Sequence, residues 1–202
     1  MSHALNMKAV AKRFAKENTL DYNRLSLIVV HLGSGISVSF HKNGRMVDGL
    51  NSAEEGPFSP DRSGGLPILQ VGEYAIENNL EQKAFAKLFF GTGGLNSYLG
   101  TKDFMKISEM YDNGDQEAIN IVDAMAYQVA KEIGALSTVN CGSIDKILIT
   151  GGMAHAAYFV EMIENRVSFI APVVLYPGED EMEALAEGIC RVLDKEEEVK
   201  IY

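Results

Sequence analysis

The sequence predicts an α/β fold built around a mixed, partly parallel sheet, and the order of its segments is the basis for this. Three segments with the character of β-strands come first, at 25–32, 36–41 and 45–50, separated by short glycine-containing turns. A block of helical segments follows, and strand–helix–strand–helix then runs from 146 to 193. Strands joined by hairpins run antiparallel, whereas strands joined through a helix run parallel. One sheet with both kinds of pairing satisfies the whole pattern.

The amino-terminal segments contain the antiparallel part of this sheet. Apolar residues recur at helical spacing from Leu5 to Ala15, which predicts an amphipathic helix. The β-branched, nearly continuous apolar run Leu25–Leu32 is typical of a strand buried on both faces. Residues Ile36–His41 alternate between apolar and polar side chains, and an Asn-Gly pair before Arg45–Leu50 predicts a tight hairpin turn. We therefore expect one helix followed by a three-stranded meander.

The middle of the chain combines a long loop with several helices. Residues 51–67 are rich in Gly, Pro and Ser, and a loop of that length in a compact chain is usually functional or disordered. The strongest helical pattern runs from Asp115 to about Val139, with Asp115 as its N-cap. Shorter helices are predicted before it, at about 68–78, 81–90 and 95–111.

The carboxyl-terminal segments supply the parallel part of the sheet. Lys146–Thr150 is apolar and predicts a buried strand that ends at a Gly-Gly pair. A helix is expected from about His155 to Glu164, and then a strand over Val167–Pro177 that is bent at Pro172. Glu179 to about Leu193 predicts the last helix.

Composition and charge exclude several classes of protein. The 202 residues are 47% hydrophobic and 23% charged, which excludes a mostly disordered chain. A net charge of -10 repels a phosphate backbone and an anionic membrane, so neither nucleic acid nor membrane is an expected partner. The longest apolar run, 169–175, is far shorter than the ~20 residues of a membrane span. The first residues carry no signal-peptide core, which favours a cytoplasmic protein.

Cysteine and histidine give no sign of a metal or redox centre. Cys141 and Cys190 lie outside any CxxC pattern and in apolar helical context, so we expect inert core thiols. None of the four histidines has a metal-ligand partner at helical spacing, and His41 and His155 are expected at the surface. The GxxxxGK[ST] and GxGxxG patterns are both absent, which leaves no support for a P-loop or a Rossmann cofactor site.

Two segments could contact phosphate. The strand–Gly-x-Gly–strand segment His31–Ser37 exposes backbone N–H groups that suit phosphate oxygens, although a glycine hairpin without a ligand gives the same pattern. Arg62 is the only arginine in the loop 57–65, where its guanidinium could stabilise developing phosphoryl charge. A surface ion pair between Arg62 and Asp61 or Glu55 is the alternative.

Two further segments lie where a strand leads into a helix. Thr150–Gly152 follows a buried strand, at the position where open α/β sheets bind ligands. An ordinary turn between a strand and a helix gives the same sequence pattern. Acidic residues crowd the start of the last helix in Gly178–Ala186, where one carboxylate could hold Mg²⁺ through water. Those acidic residues also suit the helix dipole without any metal.

Eight segments taken together, in this order and spacing, resemble one family. They are HALNMKAVAKRFA, LIVVHLGSGISV, HKNGRMVDG, EEGPFSPDRSGGLP, GTGGLNSYLGTKD, DAMAYQVAKEIGAL, ILITGGMAH and VSFIAPVVLYPGEDEMEALAEG. The chain resembles the butyrate kinases, in the acetokinase group of the actin-like ATPase superfamily. This implies a ribonuclease-H-like domain: a mixed sheet with an antiparallel meander plus βαβα, flanked by helices.

The resemblance also implies roles for individual residues. His3 matches the active-site histidine and Arg62 the arginine that stabilises the transition-state charge. Glu181, or alternatively Asp180, matches the acidic residue linked to Mg²⁺. The nucleotide and its phosphates are assigned to residues in three matching motifs, which are His31, Gly33, Ser34 and Gly35, then Asp103, then Gly151 and Gly152.

Two positions depart from the family pattern. Ser34 stands where the phosphate hairpin usually has glycine, but both flanking glycines are kept. Met105 takes the place of a family arginine that lies beside the nucleotide. The expected nucleotide contacts therefore do not include one from this position.

The resemblance further implies that residues 1–202 form only the C-terminal, nucleotide-binding domain, with a helical insertion at about 67–112 and the N-terminal domain absent. The family reaction converts ATP and a short-chain carboxylate, here butyrate, to ADP and an acyl phosphate with Mg²⁺, in a homodimer or higher homo-oligomer. Isobutyrate or acetate remain alternative substrates, and a non-catalytic nucleotide-binding or interaction domain remains an alternative function. In that fold the last helix packs partly against the N-terminal domain, so Leu185 and Ile189 are expected here to be exposed or in a contact that the family does not have.

Overall fold

A five-stranded sheet forms the centre of the protein, and a computed structural model describes it together with its helices over residues 3–52, 55–178 and 181–194. The strands are β1 Ser26–Leu32, β2 Ile36–Lys42, β3 Arg45–Gly49, β4 Lys146–Gly151 and β5 Val173–Pro177. The helices are α1 Ala4–Glu17, α2 Ile68–Glu77, α3 Gln82–Phe89, α4 Leu95–Leu99, α5 Phe104–Asp112, α6 Gln116–Ser137, α7 Ala157–Val167 and α8 Glu181–Leu193.

The strand order is β3-β2-β1-β4-β5, and it contains both kinds of pairing. β1 pairs antiparallel with β2, and β2 pairs antiparallel with β3. β1 pairs in parallel with β4, and β4 with β5. Val30 lies at the centre, opposite Val38 on one side and Ile149 on the other. The predicted mixed sheet, an antiparallel meander followed by βαβα, is confirmed.

One face of the sheet is covered by α6 and α7 through an apolar core. From β1, Ile28, Val30 and Leu32 point into this core and are fully buried. Asp115 caps α6, since its carboxylate accepts hydrogen bonds from the backbone N–H groups of Glu117 and Ala118 at 3.0 and 3.2 Å. Buried residues recur along α6 at three- and four-residue steps, which are Ala118, Val122, Met125, Ala126, Val129, Ala130, Ile133 and Leu136.

The opposite face is covered by α1 and is partly polar. Leu27 and Val29 of β1 pack there with Met7 and Phe14 of α1. The polar side chains of the alternating strand β2 lie under the same helix and are fully buried, among them His41. The expectation that His41 lies at the surface is therefore wrong, because α1 covers the polar face of β2.

Several boundaries differ from the predicted ones for identifiable reasons. The helix expected over 95–111 is two helices, because Gly100 ends α4 in the left-handed conformation at φ 70°. A 3₁₀ turn over Gly152–His155 precedes α7, which then continues to Val167, so that β5 begins only at Val173.

Both cysteines are exposed rather than buried, which corrects the expectation of core thiols. Cys141 lies in the turn after α6, in the left-handed conformation at φ 52°. Cys190 lies on an exposed side of α8. His155, in contrast, is exposed as expected.

The helices α2 and α3, which follow the glycine-rich loop, contain no buried residue. Their apolar side chains include Ile68 and Ile76, which are both highly exposed. Within residues 3–52, 55–178 and 181–194, no helix combines the length and the apolar character that crossing a membrane requires.

The last helix, α8, lies against α1 and leaves an apolar stripe open to solvent. Leu185 is 47% exposed and Ile189 is 61% exposed, as expected from the resemblance. Each large apolar side chain left in water forgoes about 1.5–3 kcal/mol of burial free energy. Such a stripe is also a site of association.

We predict that the 202-residue chain self-associates through this stripe. The double substitution Leu185→Glu and Ile189→Glu should lower the mean mass measured by light scattering over a concentration series. Leu20→Glu is the matched control, because Leu20 is similarly exposed at 48% but lies in the turn after α1. A monomer at all concentrations before any substitution would contradict the prediction.

Candidate functional site

The candidate site lies at one edge of the sheet, where the three parallel strands end. β1 leads into the glycine hairpin Gly33–Gly35, β4 into Gly152, and β5 into Gly178. Because β1, β4 and β5 are parallel, their carboxyl ends meet at this edge, which is where open α/β sheets bind ligands.

The glycine hairpin between β1 and β2 forms a tight turn with one exposed residue. The backbone N–H of Gly33 donates to the carbonyl of Gly35 at 3.3 Å, while Ser34 is exposed at the tip. The hydroxyl of Ser59 donates to the carbonyl of Ser34 at 2.6 Å and thereby ties the hairpin to the loop that carries Arg62. The departure at Ser34 leaves this geometry in place.

Arg62 lies directly over Gly35. A Cβ atom added to Gly35 would overlap the guanidinium group, so glycine at this position lets Arg62 lie against the hairpin. The guanidinium Nη1 donates to the carbonyl and to the hydroxyl of Ser52, at 3.2 and 2.6 Å. Nε lies 3.8 Å from the Asp61 carboxylate, and the group stacks over Phe90 at 5.7 Å from the ring centroid.

The loop that carries Arg62 is held in place by backbone hydrogen bonds. The N–H of Ser59 donates to the carbonyl of Arg62 at 3.0 Å, and the N–H of Leu95 donates to the carbonyl of Ser59 at 3.0 Å. The first residue of α4 therefore anchors the loop. The Arg62 side chain is only 13% exposed, so the alternative of a plain surface ion pair does not describe it, although Asp61 does contact it.

His3, at the start of α1, lies on the paired strands β1 and β2. Its ring stacks on that of His31, with centroids 4.0 Å apart and planes inclined by 21°. Its Nδ1 lies 3.0 Å from the hydroxyl oxygen of Ser37. His31 is 1% exposed, and its Nδ1 lies 3.3 Å from the Asn6 amide oxygen, so Nδ1–H is the donor. Burial, with a smaller contribution from His3, lowers the pKa of His31 to about 3, so this ring is neutral at pH 7.

The Gly-Gly pair after β4 allows the backbone to approach closely. Gly151 has φ 97°, and a Cβ there would overlap the backbone of Leu32, so no other residue fits. Its N–H and carbonyl exchange hydrogen bonds with Gly178 at 3.0 and 3.1 Å. Gly152 faces open space, since a methyl group added there would meet no atom within 4 Å.

A cavity of about 630 Å³ opens beside these turns, within the size range of small-molecule sites. It brings together Gly33, Ser34, Asp103 and Gly152 from three of the predicted motifs. The carboxylate of Asp103 accepts from the N–H of Met105 at 3.1 Å and thus caps α5. Met105 lines the same cavity and is 78% exposed.

The predicted metal residues are placed only in part. α8 begins at Glu181, just beyond the end of β5, whereas Asp180 lies outside the described residues. Over the described part of the chain, no three His, Cys, Asp or Glu residues cluster in a way that could hold a metal ion.

Sequence reasoning missed the residues that support the site. Ser37, Asn6, Ser52 and Ser59 all contact a predicted site residue. Short polar residues of this kind carry no spacing signal. The alternation of residues in β2 places Ser37 on the same face as His41. The helix predicted upstream, over Leu5–Ala15, was the signal in the sequence that this face could be covered.

Solved structures of three kinases share this fold. A crystal structure of Porphyromonas gingivalis acetate kinase matches with a TM-score of 0.86 at 21% identity, over 95% of this chain and 55% of that chain. A propionate kinase from Francisella tularensis subsp. tularensis SCHU S4 matches with 0.81 at 19% identity, over 93% and 54%. Acetate kinase from Entamoeba histolytica matches with 0.79 at 18% identity, over 92% and 56%.

These matches show an actin-like ATPase fold, and the chain spans about half the length of the kinases that it matches. At sequence identities of 18–21%, the structural similarity shows the fold alone. A sequence model of the acetokinase family matches residues 2–172, which include the glycine hairpin, the Arg62 loop and the Gly-Gly turn. Because that match extends over most of the chain, the chain belongs to the acetokinase family.

Proposed function

We propose that this chain is the C-terminal, nucleotide-binding domain of a butyrate kinase, which converts ATP and butyrate to ADP and butyryl phosphate by direct phosphoryl transfer. The observation that carries the proposal is the cavity at the carboxyl edge of the sheet, with Arg62 fixed over the glycine hairpin beside it. The choice of butyrate as the substrate rests on the resemblance of eight sequence segments to the butyrate kinases. Isobutyrate and acetate are the alternative substrates.

The nucleotide would occupy this cavity. Gly151 and Gly152 would lie against the adenosine, because the missing side chain at Gly152 leaves open space. Asp103 would border the nucleotide from α5. The backbone N–H groups of Ser34 and Gly35 in the hairpin would contact phosphate oxygens, with the neutral ring of His31 at the base of the hairpin.

In the transfer step, a carboxylate oxygen of butyrate forms a bond to the γ-phosphorus while the bond from that phosphorus to the bridging oxygen of ADP breaks. No proton has to be removed, since a carboxylate is ionised at neutral pH. Catalysis then consists of alignment and neutralisation of charge, by Arg62 and His3. Mg²⁺ would add positive charge at the phosphate oxygens, with Glu181 or Asp180 holding it through water.

The remaining groups would come from a second domain. The resemblance assigns the first phosphate loop, a catalytic aspartate and a substrate-binding arginine to the N-terminal domain of such kinases. Closure of the two domains would exclude water, which otherwise accepts the phosphoryl group. We therefore propose that residues 1–202, with the insertion at about 67–112, act together with that domain in a homodimer or higher assembly.

We predict that the 202-residue chain binds ADP with Mg²⁺ weakly and makes no acyl phosphate by itself. Calorimetric titration measures the binding, and trapping of acyl phosphate as hydroxamate measures the reaction. Gly35→Ala is the comparison variant and should weaken ADP binding, because its new methyl group overlaps the guanidinium of Arg62 and forces it to shift. Butyryl phosphate formation by the chain alone would contradict the prediction.

Activity should return when the complementary N-terminal half of an acetokinase-family enzyme is joined to this chain. Assays with butyrate, isobutyrate and acetate then identify the acid. A chain that binds no nucleotide under any of these conditions would instead be an interaction domain, and the proposal would fail.

A further inference from the structure

We propose that Ser37 is a positioning residue that fixes the orientation of the His3 ring for contact with the transferred phosphoryl group. The inference rests on the proposed function for the reaction itself. The arrangement of the His3 and His31 rings follows from the geometry of α1, β1 and β2 and does not depend on the proposed function.

Ser37 lies on a rigid element directly beside the histidine pair. It is fully buried in β2 and lies opposite His31 across the antiparallel pair β1–β2. The ring of His3 covers this pair, stacking on His31 at 4.0 Å and meeting the Ser37 hydroxyl at 3.0 Å. A group held on a central strand sets a partner's position more accurately than one held on a loop.

The ring beneath His3 is fixed in turn. Asn6 lies one helical turn after His3 in α1, is buried, and holds Nδ1 of His31 at 3.3 Å. His31 therefore presents a neutral ring of defined orientation as the surface on which His3 stacks. The contact with His31 thus sets the plane of the His3 ring, and the contact with Ser37 sets its rotation within that plane.

The hydrogen bond is compatible with more than one protonation state of His3. When the Ser37 hydroxyl donates to Nδ1, neutral His3 carries its proton on Nε2, and this N–H is a donor suited to a phosphoryl oxygen. When His3 is protonated, the same hydroxyl accepts from Nδ1–H, and the ring keeps its orientation. In both of these states Nε2 carries a proton that a phosphoryl oxygen can accept.

The direct test is ¹⁵N NMR of the histidine rings in the 202-residue chain, whose four histidines can be assigned one at a time by substitution. Ser37→Ala should shift the Nδ1 resonance of His3, because that nitrogen loses its hydrogen-bond partner on β2. Ser39→Ala is the matched control: Ser39 is buried on the same strand and face, but its hydroxyl meets His41 at 2.9 Å. An unchanged His3 ring in Ser37→Ala, or an equal change in Ser39→Ala, overturns the proposal.

The kinetic test uses the chain joined to its complementary half. Ser37→Ala should lower kcat about tenfold or more, through misplacement of His3, and leave KM for ATP within about twofold. Ser37→Thr keeps the hydroxyl and should restore most of kcat. An undiminished kcat in Ser37→Ala overturns the catalytic part of the proposal. Failure of the unsubstituted protein to make acyl phosphate would count against the proposed function, while the ring spectra would still decide whether Ser37 positions His3.

Discussion

Replacement of Arg62 by alanine is expected to lower kcat of the reconstituted kinase by about 100-fold or more, with little change in KM for ATP. Loss of one charged donor that acts on developing charge typically costs ~3 kcal/mol in the transition state. An interaction made mainly in the transition state lowers kcat and kcat/KM together. The fixed position of Arg62 over Gly35 supports this role, because no reorganisation of the guanidinium is needed when charge develops.

Two further variants separate catalysis from folding. Arg62→Lys keeps the charge but loses the planar guanidinium, which contacts Ser52 through Nη1 and Asp61 through Nε, so its kcat should fall between those of the unsubstituted protein and Arg62→Ala. Arg166→Ala removes a surface arginine paired with Asp123 at 2.7 Å, between α7 and α6, and should leave kcat unchanged. A raised KM for ATP with normal kcat in Arg62→Ala would identify Arg62 as a residue that binds ATP in the ground state.

Lowering the pH from 7 to 4.5 is expected to reduce the free energy of unfolding by as much as about 5 kcal/mol through His31 and His41. Burial lowers their pKa values to about 3 and about 4, from the ordinary histidine value of 6.5. Between pH 6.5 and about pH 4, the unfolded chain binds protons at these two histidines that the folded chain does not bind. Stability from these groups is therefore full above pH 6.5 and is lost as the pH falls toward 4.

Urea unfolding at pH 7 and at pH 4.5 measures this loss. His41→Gln should reduce it by roughly half, since one of the two buried rings then no longer titrates. His155→Gln should leave the loss unchanged, because His155 is exposed. An equal loss in the unsubstituted protein and in His41→Gln would show that buried histidines do not govern the acid sensitivity.

The sheet could be predicted closely from the sequence because its signals are local. β1, β2 and β4 begin and end within one residue of their predicted bounds, since apolar runs and glycine turns mark them directly. β5 is shorter than predicted because α7 extends to Val167, and no residue there distinguishes helix from strand. Apolar periodicity alone does not separate the two over so short a run.

The site could be predicted in part. The glycine turns and Arg62 carry signals in the chain itself, whereas Ser37 acts through a contact 34 residues away in sequence. The same dependence on contacts that are distant in sequence explains why the expectation for His41 was wrong, whereas the expectation for Cys141 was wrong for a local reason. His41 is buried because a distant helix covers it, and Cys141 is exposed because it lies in a turn and not in the helix before it.

The interface between α1 and the sheet includes buried polar side chains, among them His31, Ser37, Ser39 and His41 of the strands and Asn6 of the helix. Apolar contacts have no direction, so a helix held by them alone can slide by a fraction of a turn at small cost. The hydrogen bond from His31 on this face to the Asn6 amide oxygen, at 3.3 Å, forms at only one axial position of the helix. Any other position leaves buried polar groups unpaired, at about 1–3 kcal/mol each. The distance from His3 to the glycine hairpin is therefore set by α1's alignment on the sheet, and substitutions on its solvent side can accumulate without moving that histidine.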